Sequence, residues 1–360
     1  MAVTEPQPIR VQWLGCDLQT GLIVEELPAL APSGSISRLL GKPSNSSFSL
    51  NLAGAPQGWE AATVPGRTMI VAVADDTPVW AGIVLTRSGG SASTVELGCA
   101  TPEAYFDRRY TADHTWTQQD EASVIASGLI GDTLVNGMRL AVDAPATGTL
   151  RDRTYLDSDD ATALSRLQEL MGVTDGPEWT VDVRWAGASA VELVARVRKR
   201  IGSQSAPSAI LTYPGDVVGY TLAESYESGK GATVVRARGE GEGDDRYTSA
   251  DMVAVGLIAA GWPRYEHRFT PSTSITSQSV LDGHASAALA AMQFGVQVWT
   301  IEAVASYAPR LGVEWGLGDT IGLHVISSPR HPGGLMVTAR AWGWEWDIAG
   351  DRVKPILLGD

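Results

Sequence analysis

Positive charge is scarce in this chain. Its 360 residues carry 27 Lys plus Arg against 41 Asp plus Glu, a formal net charge of −14, and charged residues make up only 19%. A protein that coats duplex nucleic acid needs the opposite balance, because its affinity rests on Lys and Arg displacing counterions from phosphate. Net acidity instead suits a surface along which DNA slides without sticking. Cysteine is nearly absent: Cys16 and Cys99 stand far apart with no Cys-x-x-Cys pair, so neither a zinc knuckle nor a disulfide framework is encoded, and synthesis in a reducing compartment fits best. No apolar run reaches the length of a membrane span, and the first eight residues lack the basic start and apolar stretch of a signal peptide. The expectation is a soluble chain with no membrane-spanning segment, not secreted by that route.

Apolar residues, glycine and proline are plentiful. A hydrophobic content of 44% excludes disorder as the main state, and the length allows two or three domains. Thirty-nine glycines and 19 prolines punctuate short runs of Val, Ile, Thr, Trp and Leu, the pattern of a strand-rich protein with many turns. Thr68 to Ala74, Val79 to Arg87 and Ala92 to Cys99 read as a three-stranded meander, with turn chemistry at Asp75-Asp76-Thr77-Pro78 and Gly89-Gly90. Four helices are predicted. One has Ser158 as cap, Asp159 and Asp160 in its first turn, Leu164, Leu167, Leu170 and Met171 as its stripe, and Gly172 as its stop. A second starts at Thr117, with Asp120 three residues on, and ends at Gly131. Ser249 to Ala260 and Ser279 to Met292 are the others.

An internal comparison indicates architecture. Gly66-Arg67-Thr68-Met69 overlays Gly318-Asp319-Thr320-Ile321 at a shift of 252, which also places Val73 on Val325, Gly82 on Gly334 and Thr86 on Thr338. Both copies read as strand, proline-containing turn, strand. The expectation is two related β-barrels with a mixed α+β segment between them, the alternative being chance likeness of two hairpins. The first barrel takes residues 1–100 and the middle domain 101–228, with strands from Trp179 to Trp185 and Val191 to Val197. The second barrel takes 229–360, interrupted by a helical insertion at 247–295.

The search for chemistry is negative. There is no Gly-x-Ser-x-Gly elbow and no His-Glu-x-x-His. Ser228-Gly229-Lys230-Gly231 is similar to a phosphate loop but has Glu224 and Gly231 where that loop needs glycine and Ser or Thr. Asp157, Asp159 and Asp160 fail as a calcium loop, whose turn glycine would fall at Thr162 and bidentate glutamate at Gln168. His114, His267, His284, His324 and His331 show no ligand or triad spacing. No catalytic, cofactor-binding or metal residue is nominated, and no cofactor and no enzyme activity are expected.

Two clusters remain. Arg196, Arg198 and Arg200 alternate in a basic strand end, either solvated or a subunit interface with an acidic neighbour, for which Glu240 and Glu242 in the flexible 240–245 loop are candidate partners. Trp342, Trp344 and Trp346 fall two apart and are expected to share one face, as aromatic core or interface; a sugar-stacking face is the other reading. Trp59, Trp80 and Trp299 sit singly and are core candidates.

Several phrases together resemble the tail-tip hub proteins, or minor tail proteins, of long-tailed phages that infect actinobacteria. They are Ser37-Arg38-Leu39-Leu40-Gly41 with Ser46-Ser47-Phe48-Ser49-Leu50, Gly66-Arg67-Thr68-Met69-Ile70-Val71, Pro78-Val79-Trp80-Ala81-Gly82-Ile83-Val84, Tyr105-Phe106-Asp107-Arg108-Arg109-Tyr110, Ala260-Gly261-Trp262-Pro263-Arg264 and Leu317-Gly318-Asp319-Thr320. The resemblance implies two tail-tube-like barrels per chain and a homotrimer that presents six barrels to a six-fold tail tube. It implies a virion protein of the tail tip or baseplate hub, made in the host bacterial cytoplasm. Its partners would be a distal tail or tube protein above and a fibre, spike or other tip protein below, with tape measure and genome DNA passing through at ejection. The chain stops at Asp360 without the C-terminal extension many such proteins carry, so wall digestion and receptor binding would fall to a neighbour. A carbohydrate-binding or receptor-binding tail module is the alternative.

Overall fold

The computed structural model describes residues 9–173, 175–271 and 275–358; the N-terminal residues read for a targeting signal, and Asp360, lie outside the described residues. The chain divides into two compact units, residues up to 220 with 300–358, and residues 221–299. Strands dominate, as the turn-rich composition predicts, and the fold is a β-rich α+β one built on two large sheets.

In the larger unit, the first sheet contains β1 (Val11–Asp17), β2 (Ile23–Glu26), β3 (Leu30–Pro32), β5 (Asn45–Asn51), β6 (Thr68–Ala74), β7 (Thr77–Ser88) and β8 (Thr94–Ala100), with β4 (Ile36–Leu39) and the short helix α1 (Trp59–Ala62) between them. Its order is β2-β1-β6-β7-β8-β5-β3. β6 is apolar on both faces because both are covered. Met69, Val71 and Val73 join Leu14, Cys16, Ala81 and Ile83 in a core shared with the middle domain. The alternate residues Ile70 and Ala72 lie on the face of Trp13 and Trp80, where Phe48 meets Trp13 at 5.1 Å and Trp80 at 5.6 Å between ring centroids. A Cβ on Gly82 would fall 2.2 Å from the Trp80 ring, so only glycine leaves room for that indole.

The middle domain pairs β9 (His114–Asp120) with β11 (Leu150–Tyr155), and β13 (Val191–Arg198) with β10 (Leu140–Asp143) and β12 (Glu178–Trp185). Its helix entrances differ from the sequence expectation. Thr117 lies in β9, and the cap is Asp120, whose Oδ1 accepts from the Ala122 and Ser123 amides before a π turn at Glu121–Ala126 and α2 (Ser127–Gly131). Ser158 belongs to a separate 3-10 turn ended by left-handed Asp160 (φ 50°); α3 (Ala163–Met171) is capped by Thr162 and stopped at Gly172. Its Leu164, Leu167 and Leu170 face Trp179 and Phe106 across the shared core.

The second large sheet contains β14 (Ala209–Tyr213), β15 (Val217–Ser225), β19 (Val296–Val304), β20 (Thr320–Val325), β21 (Leu335–Asp347) and β22 (Arg352–Leu358), in the order β14-β20-β21-β22-β19-β15. Strand for strand this repeats β1-β6-β7-β8-β5-β3 of the first sheet, also in sequence order, although β14 runs parallel to β20 whereas β1 is antiparallel to β6. Gly66 and Gly318 both take positive φ, 73° and 85°, at the entrance to the duplicated hairpin. Met69 pairs with Ile83, and its counterpart Ile321 with Ala339, so equivalent partners lie four residues further apart in the second hairpin and the ungapped overlay holds for its first strand alone. β4, from the first segment, pairs with β21 from Gly343 to Trp346.

Residues 221–299 form their own unit of β16 (Val234–Ala237), β17 (Met252–Val253), α4 (Val255–Ala259), β18 (Glu266–Phe269) and α5 (Gln278–Met292). Residues 229–246, assigned to the second barrel from sequence, belong here: β16 pairs with β17 and β18 and buries Val235 and Ala237 against Leu281 and Ala285 of α5. The barrel sheet uses β14 and β15 instead, which the sequence reading left in the middle domain. An alternating apolar strand shows that it has a buried face but not which sheet supplies its neighbours.

Candidate functional site

Within the larger unit a cleft of about 490 Å³ collects residues from three parts of the chain, among them Arg38 on β4, Asp182 and Arg184 on β12, Asp143 and Arg196 near β13, and Trp344 on β21. Its wall is an ion-pair chain. Arg38 Nη2 donates to Thr180 Oγ1, to the Val181 carbonyl and to Asp182 Oδ1 at 2.8 to 2.9 Å, and Asp182 Oδ2 lies 2.5 Å from Arg196 Nε. Burial alone would raise the pKa of Asp182, but Arg38 and then Arg196 outweigh it and hold the carboxyl below its ordinary value. Glu103, 1% exposed, accepts from the Val181 amide at 2.9 Å; there burial prevails over Arg38 and raises the pKa.

A second buried pair fastens the middle domain to the second sheet. Glu178 on β12 receives both terminal nitrogens of Arg340 on β21, at 2.7 and 2.5 Å. Arg340 also donates to the Gly318 and Ile201 carbonyls, and Glu178 accepts from the Ile201 amide. Both side chains are nearly sealed, at 6% and 4% exposure. These contacts fasten the middle domain to the second sheet, and the β4–β21 pairing ties the first segment to that sheet directly.

Each basic-cluster residue finds a carboxylate of its own subunit: Arg196 has Asp182, Arg198 has Asp143 at 2.5 Å, and Arg200 lies 3.6 Å from both Asp175 and Glu178. Glu240 and Glu242 are exposed on the loop after β16, which turns at Gly241 and Gly243 with φ of 97° and 58°. The tryptophans do not share one face. A bulge between Ala341 and Gly343 inserts Trp342 as an extra residue opposite β22, so Trp344 and Trp346 point with Ala341 into the core, 2% and 4% exposed, while Trp342 lies against the Arg340 guanidinium 5.1 Å from its ring centroid. Trp80 and Trp299 are buried; Trp59 is half-buried beneath Arg87.

Two histidine rings are held by hydrogen bonds among the described residues. His114 Nε2 lies 2.8 Å from Asp132, with its ring stacked on Trp116. His331 Nδ1 and Ser328 Oγ both meet the Tyr220 hydroxyl, at 2.7 and 2.5 Å, tying the long β20–β21 loop to β15. Among the described residues no three His, Cys, Asp or Glu side chains are grouped to hold a metal, and no helix is long and apolar enough to cross a membrane. Cys16 and Cys99 are buried free thiols. What this arrangement does is fasten sheets together.

No protein-family model and no curated protein matches the chain. Its fold matches solved phage tail proteins over nearly their whole length. A tail protein from Neisseria meningitidis MC58 is 14% identical with a TM-score of 0.57, covering 98% of this chain and 97% of that one. The 43 kDa tail protein of prophage MuSo2 from Shewanella oneidensis is 12% identical with a TM-score of 0.58, covering 98% of each. Prophage tail protein gp18 from Listeria monocytogenes EGD-e is 10% identical with a TM-score of 0.55, covering 97% and 94%. At such identities the likeness is one of fold.

Proposed function

We propose that this chain is the structural hub of a phage tail tip. Three copies, each contributing two barrel sheets, close a ring of six that adapts a six-fold tail tube to three-fold tip components and encloses the channel for DNA ejection. The observation that carries this reading is the repeated strand order, since one chain holding two equivalent sheets is what converts three-fold into six-fold symmetry. The whole-length fold likeness to phage tail proteins supports a place in the virion. The role is mechanical and non-enzymatic: a tube or distal tail protein binds above, a fibre, spike or other tip protein below, and DNA and tape measure pass through. A net charge of −14 favours passage of DNA over its retention. The carbohydrate-binding reading loses its aromatic face, because Trp344 and Trp346 are buried.

Light scattering of the purified chain tests this. A stable species near 114 kDa, three times the 38.1 kDa subunit, is expected. A monomer at every concentration would refute self-driven ring closure.

A further inference from the structure

The unit formed by residues 221–299 carries two surfaces of opposite sign. One face of its small sheet packs on α5; the other carries Arg236 and Arg268, which are register partners 36% and 51% exposed, with Glu266 beside them. Arg264 reaches the same face. Asp251 takes Arg236 at 2.7 Å and Arg264 at 2.9 Å, and Glu266 takes Arg264 at 2.7 Å and Arg268 at 3.1 Å. Arg238, next on that face by alternation, has no side-chain partner among the described residues, and its Nε is unbonded. Four arginines thus share two carboxylates, a local positive surplus on a chain whose net charge is −14. The loop after β16 is the converse: Glu240, Glu242, Asp244 and Asp245 are exposed, and among the described residues none engages a charged partner.

We infer that the acidic 240–245 loop of one copy seats on the arginine face of the same unit in the next copy. This rests on the homotrimer proposed above. A closed ring of identical subunits joins by head-to-tail contacts, which need two different, complementary patches on every copy. Strongly acidic subunits repel one another unless the contact is locally complementary. Arginine forks suit carboxylates, and the alternating glycines let the loop fit the face it meets. The Arg196, Arg198 and Arg200 cluster is a poorer partner for the loop, because Asp182, Asp143, Asp175 and Glu178 of its own subunit leave it no positive surplus.

The test is light scattering at low and high salt on the full chain, on Glu240→Lys with Glu242→Lys, and on that variant combined with Arg238→Glu and Arg268→Glu, with circular dichroism confirming that each is folded. The wild type is expected near 114 kDa at low salt, shifting toward 38.1 kDa as salt rises; the loop variant near 38.1 kDa; and the combined variant back near 114 kDa. A loop variant that stays trimeric, or a loss that the combined variant does not restore, overturns this contact and leaves the hub standing. A wild type that is monomeric at low salt overturns the trimer itself.

Discussion

Replacing Arg340 with alanine is the perturbation from which the structure promises most. Its guanidinium and the Glu178 carboxylate are both nearly excluded from water, and every bond between them crosses from the second sheet to the middle domain. Removal would leave Glu178 with the Ile201 amide and Arg200 Nε at 3.6 Å, and would strip the Gly318 and Ile201 carbonyls of a donor. Breaking a buried pair from one side costs roughly 3–5 kcal/mol, because the surviving charge stays buried without its counterion. Arg184 with Glu192 is the control: that arginine is 60% exposed, and an exposed pair is worth at most about 1 kcal/mol. Urea unfolding followed by tryptophan fluorescence should therefore separate Arg340→Ala from Arg184→Ala by at least ~2 kcal/mol. Glu178→Leu with Arg340→Met, which removes both charges, should be less destabilised than Arg340→Ala. Equal losses for Arg340→Ala and Arg184→Ala would refute the view that this pair fastens the domains.

Trp344→Ala should cost about 3–5 kcal/mol in the same assay and Trp342→Ala clearly less, since one side chain is buried and the other lies outside the core face. Gly82→Ala should destabilise by roughly 1–3 kcal/mol, because its Cβ would enter the Trp80 ring. Cys16 and Cys99, each pushed up to about 12 by burial, should resist thiol reagents at pH 8 until the chain is unfolded. Their folded pKa values lie above the unfolded ones, so they favour the fold fully below about pH 8.5 and that contribution is lost as pH rises toward 12. Asp182 has the opposite sign: its depressed pKa stabilises the fold above the ordinary value of 3.8 and the benefit is lost as pH falls through the depressed value, so Asp182→Asn should flatten the acid limb of stability.

The elements legible in the sequence were those whose cues are local. The meander of β6, β7 and β8 has turn residues at both joints, and α3 has a stripe and a glycine stop, so both lie where periodicity places them, within a few residues at their ends. The first strand of the repeated hairpin is legible because Gly66 and Gly318 meet the same backbone demand, whereas the register of its second strand is not. What stayed hidden depends on partners distant in the chain. No local pattern marks the bulge that turns Trp342 away from Trp344, since a bulge is defined by the opposing strand. Nor does Ile36–Leu39 signal that it will pair with residues some three hundred positions later. Nothing adjacent to Arg38 in sequence marks its role, which depends on Thr180 and Asp182 more than 140 positions later.

That last pairing has a consequence for the nascent chain. At about 5–20 residues per second, a ribosome needs roughly 15–60 s to travel from β4 to the end of β21. Throughout that interval Ile36–Leu39 has no β21 to pair with, and the first sheet emerges with part of its eventual neighbourhood unmade. Such a long-range pairing folds slowly and exposes apolar edge in the meantime. The same dependence means that a fragment truncated before β21 loses a strand pairing made by its own first forty residues, so the two sheets cannot be separated cleanly by cutting the gene between them.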